Sequence, residues 1–168
     1  MKSFLLAALF TLSFLGSHAV AADKSFPTAQ PAFSVDIPES WTPKEEGNWL
    51  ECHSDDEKGS FYFQVASSKA EFDKTVEEFI VWLEKEHQVD VKIDSQLPGQ
   101  VKIGDMEWKT VSYDAENKKF GPAKVGFMMT KLESGKALVL SFWITKQGSE
   151  KCMETLEGKI LPSVKGIK

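Results

Sequence analysis

The chain has 168 residues, with 25 acidic side chains against 20 cationic ones, every cation a lysine, and a formal net charge of −5. An acidic chain without arginine lacks the basic footprint that binding nucleic acid requires. It is also repelled on average by anionic lipid headgroups.

The N-terminus reads as a targeting segment. Lys2 supplies a positive start, "FLLAALFTLSFLG" is an apolar run, and "SHAVAA" fits a small-residue cleavage site at Ala19 and Ala21. The run is too short to span a bilayer, and no cysteine near the cut offers a lipid attachment point. Residues 1–21 (or 1–22) are therefore expected to be a cleaved signal peptide, with no stable membrane anchor on the product. Loss of Lys2 takes the charge from −5 to −6. A periplasmic or secreted bacterial protein follows. Cys52 and Cys152 both lie in the exported part. In an oxidising compartment such a pair is expected to close a disulfide, with two separately buried thiols as the alternative.

Residues 22–31, with two prolines, read as an extended arm, and residues 32–168 as a single domain. "FSVDIP" alternates apolar and polar positions from Phe33, the period of a half-buried strand, and Pro38 ends its ladder. Residues 49–54 and 60–66 form a hairpin around an acidic turn. Cys52 then faces the core and His53 the opposite side. Ser68 and Glu71 make a capping box, and Phe72, Val76, Phe79, Ile80 and Leu83 recur at helical spacing behind it. Trp82 flanks that stripe. Strand-like runs follow from Val89, from Gln100 through residue 115, from Ala123 and from Lys136. The last is apolar throughout, as a strand covered on both faces would be. A second helix should start near Ser149, bury Met153, Leu156 and Ile160, and stop by Leu161, because Pro162 disfavours helical geometry before it. Helices segregated from a meandering antiparallel sheet define the α+β class, here one sheet sandwiched by two main helices.

The opening strand and the end of the second helix carry a resemblance. Phe33, Ser34, Val35, Pro38 and Trp41 match F-S-V-x-x-P-x-x-W, and Ile160, Leu161, Ser163 and Val164 match I-L-x-S-[IV]. With this element order over residues 32–167, the chain resembles the PsbP/Mog1-like αβα-sandwich superfamily. Within it, the chain is most similar to the small exported bacterial DcrB-like and DUF1795-type proteins. The resemblance implies a non-enzymatic accessory or binding protein and transfers no functional-site residue. It leaves Trp41 to cover one end of the sandwich.

No motif pairs a nucleophile with a base, and Cys52 and His53 leave opposite faces of a strand, so an exported hydrolase is the least favoured reading. His53, Asp55, Asp56 and Glu57 lack the spacing of a calcium loop, so neither metal nor cofactor is expected. The aromatic surplus is more informative. Trp41, Trp49, Tyr62 and Trp143 are a candidate surface for an envelope protein partner of unknown identity, if the helices leave them uncovered. The alternative is a carrier of a small apolar ligand between sheet and helix, in a cavity lined by Phe79, Trp82, Trp108 and Met129.

Overall fold

The computed structural model describes residues 21–54 and 58–167. The expected signal peptide, up to residue 20, and Asp55, Asp56 and Glu57 of the acidic turn lie outside the described residues.

Among the described residues ten strands form two sheets. Strand β1 (Ala21–Phe26) pairs antiparallel with β2 (Phe33–Pro38), and β10 (Lys165–Gly166) pairs with the other edge of β2. A seven-stranded antiparallel sheet follows, in the order β3-β4-β5-β9-β8-β7-β6. Its members are β3 (Lys44–Glu46), β4 (Trp49–His53), β5 (Gly59–Ala66), β6 (Val89–Ile103), β7 (Met106–Asn117), β8 (Gly121–Lys131) and β9 (Ala137–Thr145). Helix α1 (Lys69–Glu86) covers one face of this sheet. The small sheet and α2 (Ser149–Thr155), which runs on through a π turn at Leu156–Ile160 and a closing helical turn at Leu161–Ser163, cover the other.

Alternation along each strand sorts side chains into two cores. Phe33, Val35 and Ile37 of the small sheet meet Phe61, Phe63, Leu138 and Leu140 of the large one, with Cys152, Leu156 and Ile160 from the C-terminal helix. On the other face Phe79 and Leu83 of α1 pack on Tyr62, Val125, Phe127 and Trp143. Strand β9 is buried along nearly its whole length, as its apolar sequence requires. Trp41 does lie over the first core, 4.8 Å from the Phe61 ring and nearly parallel to it. Ser163 binds the two ends of that layer together. Its hydroxyl accepts the Asp36 N–H at 2.8 Å and donates to the Ile160 carbonyl at 2.6 Å.

Four expectations need correction. The arm at residues 22–31 contains β1, a strand whose partner is β2. The opening strand belongs to a second sheet, not to the main one. The run expected from Gln100 is split. Its first residues extend β6 straight through Pro98 and Gly99, and the hairpin turns instead at Gly104, with φ +59°. Pro98 is tolerated because β6 is an edge strand. Between Lys92 and Leu97, β6 advances five positions while β7 advances two. That odd excess swaps faces, so Val91 lies in the α1 core and Ile103 against the other. Finally, the C-terminal helix does not stop before Pro162. The widened turn, in which the Leu161 N–H reaches the Leu156 carbonyl, leaves room for a proline ring that would otherwise strike the preceding turn.

Candidate ligand cleft on the α1 face

The site is built from the β4–β5 hairpin. Trp49, Glu51 and His53 leave β4 on the α1 side, while Leu50 and Cys52 enter the opposite core. The register sets Glu51 opposite Tyr62 and His53 opposite Ser60. As a result His53 Nδ1 lies 2.7 Å from Ser60 Oγ and His53 Nε2 lies 3.0 Å from Glu51 Oε1. Neutral His53 satisfies both contacts by accepting from the Ser60 hydroxyl and donating to Glu51. The Glu51 side chain is only 16% exposed.

Helix α1 supplies the facing wall. Its N-terminus is set by Ser68, whose hydroxyl accepts the Glu71 N–H at 3.1 Å, while the Glu71 carboxylate accepts the Ser67 N–H at 2.7 Å. Farther along, Phe79 is buried and Trp82 half-buried. Four rings assemble there. Trp49 and Trp82 stand nearly perpendicular to Tyr62, at 89° and 79°, with centroids 6.1 and 5.1 Å away. Phe79 lies between the two indoles, tilted 31° and 29° from them. The half-buried indoles flank a cleft of about 390 Å³ whose other lining residues are Glu46, Glu51 and Glu78. No lysine lines it among the described residues. The Tyr62 hydroxyl is buried there, on the side of Ser60 and Glu51. Burial, and secondarily the Glu51 charge, push its pKa up, so it is a neutral phenol.

A second, more polar cleft of about 640 Å³ adjoins it, with His53, Ser60, His87 and Trp143 on its walls. His87 caps α1, 4.4 Å from the Trp82 ring and 5.5 Å from Trp143. Burial, then the neighbouring His53, lowers its pKa below the usual imidazole value, against the opposing pull of Glu51 and Glu86.

The four aromatics expected to form one exposed surface do not. Trp41, Tyr62 and Trp143 are buried, and Trp41 lies in the opposite core from the other three. The helices and the small sheet cover them; of the four, only Trp49 is half-exposed. The expected ligand-lining set is divided as well. Phe79 and Trp82 meet at the aromatic cleft, Trp108 is fully buried in the other core, and Met129 lines a separate cleft with Phe72. Cys52 and Cys152 both lie in the first core, as thiols in this structure. Cys52 donates to the Phe61 carbonyl at 3.5 Å. Cys152 Sγ lies 3.5 Å from where a Cβ on Gly59 would stand.

The Ser60–His53–Glu51 chain and the acidic rim were missed in the sequence. Their signal was present: Glu51 and His53 are two apart on one strand, and the hairpin register brings Ser60 opposite. The chain has the order of a hydrolytic triad, but Ser60 is only 2% exposed. A hydroxyl so enclosed orients the imidazole and is poorly placed to reach a substrate carbonyl. Among the described residues no group of three histidine, cysteine or acidic side chains is arranged to hold a metal ion. No described helix is long and apolar enough to cross a membrane.

Neither a known protein family nor a curated protein sequence matches the chain. Among solved structures it is similar to the solution structure of cyanobacterial PsbP (CyanoP) from Synechocystis sp. PCC 6803. The TM-score is 0.54 at 8% identity, over 96% of this chain and 99% of that one. At that identity the likeness speaks for architecture alone: the chain has a PsbP-like α+β fold.

Proposed function

We propose that the chain is an exported, non-enzymatic accessory protein of the bacterial cell envelope, periplasmic or secreted, and that its binding face is the α1 side of the sheet. It belongs, in this reading, beside the DcrB-like and DUF1795-type proteins. The contact of Ser163 with Asp36, which ties the closing motif to the opening one, supports that placement. One observation carries the binding face: a concave site with two half-buried tryptophans standing over buried Phe79 and Tyr62. Aromatic anchors in such a setting supply most of the energy of recognition in known interfaces.

The test is amine-reactive cross-linking in the native envelope, followed by co-purification and mapping of the linked lysines. Links from Lys74 and Lys85, exposed on α1, are expected. Links confined to Lys151 and Lys159 on the opposite side would overturn the choice of face.

A second reading, a carrier of a small ligand, is favoured by the cleft volume of about 390 Å³, within the range of small-molecule sites. Its carboxylates make it less apolar than the sequence led one to expect. Native mass spectrometry of protein taken directly from the envelope separates this reading from the first.

The disulfide between Cys52 and Cys152 is part of the proposal. Both sulfurs enter the same core, and Gly59, beside Cys152, is two residues from Phe61, the strand partner of Cys52. Closure would come from exchange with an oxidised dithiol oxidase, which is itself reduced as the two thiols are oxidised. Burial pushes the Cys52 thiol pKa far up, so the thiolate that exchange needs is available before folding completes and not after.

A further inference from the structure

We propose that the aromatic cleft between α1 and the β4–β5 hairpin binds a small organic cation carrying an alkylated ammonium group. The inference rests on the α1 face being the binding face.

Two features converge on that chemistry. The first is ring geometry. A cation is attracted to an aromatic face when it lies within about 6 Å of the ring centroid. Trp49 and Trp82 stand nearly perpendicular to Tyr62, at 6.1 and 5.1 Å, and all three rings line the cleft. Tryptophan, the best of the cation–π partners, supplies two of the walls, and both indoles are half-exposed, hence reachable.

The second is charge. Every titratable carboxyl on the lining, Glu46, Glu51 and Glu78, is an acid with no lining lysine to oppose it. Glu46 is paired outward with Lys44 at 2.7 Å and Glu78 with Lys74 at 3.4 Å. Those exposed pairs are weak and exchange partners readily. Glu51 differs. It is largely buried, and its partner is the His53 imidazole at 3.0 Å and not a lysine. A carboxylate half-removed from water beside an open cleft attracts a weakly hydrated cation more strongly than a surface carboxylate does.

A purely apolar ligand would use the rings and gain nothing from the acidic lining. An anion would be repelled. A strongly hydrated metal ion would not choose aromatic walls. An alkylated ammonium, apolar in shape and positive in charge, uses both features. The cleft volume of about 390 Å³ is large enough to seat such a molecule.

The test titrates the mature chain with choline, with tetramethylammonium, and with 3,3-dimethylbutan-1-ol, the neutral carbon isostere of choline, at constant ionic strength. Tryptophan fluorescence and the indole resonances report binding. Both cations should shift the Trp49 and Trp82 indoles, and the neutral isostere should bind about ten-fold more weakly or worse. Trp82→Ala and Glu51→Gln should each weaken choline binding about ten-fold, with Trp82→Phe recovering most of the loss because it restores a ring. The phenylalanine variant also guards against misfolding of the alanine one. Equal affinity for choline and its isostere would overturn the proposal, leaving an apolar cleft. So would tighter binding of an N-acetyl-lysine amide than of choline, which would give the cleft to a partner's side chain. Absence of any indole shift, with cross-links still mapping to Lys74 and Lys85, would sink the cation and leave the binding face standing.

Discussion

Gly126 lies on β8 directly opposite Phe142 of β9, and the Phe142 ring lies flat over it. A Cβ added at Gly126 would stand 2.3 Å from Phe142 Cζ and 2.6 Å from Cε1, where ordinary contact begins at 3.4 Å. The ring must therefore move by roughly 1 Å, and a radial gap of that size forfeits up to about half of a contact's dispersion energy. Phe142 cannot yield freely. It is stacked on Phe61 at 6.1 Å, and Phe61 is stacked on Trp41 at 4.8 Å. Gly126→Ala should destabilise the mature chain by about 1–3 kcal/mol through overpacking. Phe142→Ala alone should cost about 3–5 kcal/mol. In the double variant the clash is gone, and alanine is favoured over glycine in a strand interior by about 0.5–1 kcal/mol. Gly126→Ala should then be stabilising, a coupling of about 1.5–4 kcal/mol that changes the sign of its effect. Urea unfolding of all four chains, followed by far-UV circular dichroism and tryptophan fluorescence, measures the cycle. Additivity within about 0.5 kcal/mol would refute the packing argument.

The lowered pKa of His87 predicts a pH dependence. Its unfolded value is 6.5 and its folded value lies below that, so between the two the unfolded chain holds more protons. The associated stability is present above about pH 6.5 and lost as pH falls through the folded value. Urea midpoints should drop on acidification over that window, and His87→Gln should flatten this part of the profile; an unchanged slope would count against the burial of His87 as its cause. Ser68→Ala removes the hydroxyl that accepts the Glu71 N–H and should cost about 1 kcal/mol, read as a shift in urea midpoint. For the cysteines, alkylation and mass analysis of non-reduced mature protein should find both thiols blocked by the bridge. Reduced protein that has refolded first should re-oxidise far more slowly than protein oxidised during folding; two alkylatable thiols in the exported protein would exclude the disulfide.

Much of the fold was legible because its rules are local. Alternation at Phe33, Val35 and Ile37 marks a strand whatever it pairs with. Ser68 and Glu71 mark a helix start through bonds made within four residues. The apolar run of β9 announces a strand covered on both faces, which it is. The failures share a cause. Strands β1 and β10 exist because β2 lies between them, and nothing in "AADKSF" or "KG" encodes a partner that distant. Pro98 and Gly99 look like a turn until the edge position of β6 makes them acceptable within a strand.

The site divides along the same line. Its ingredients, an aromatic surplus, acidic residues in β3 and β4 and a helix with Phe79 and Trp82 one turn apart, could be read from the chain alone, since periodicity decides which side chains share a face. Which rings are covered and which stand open depends on what packs on each face of the sheet. That choice buried Trp41 and Trp143 in different cores and left Trp49 and Trp82 at the mouth of a cleft. The bonds from Glu51 through His53 to Ser60 required the β4–β5 register, a relation between two strands that neither contains.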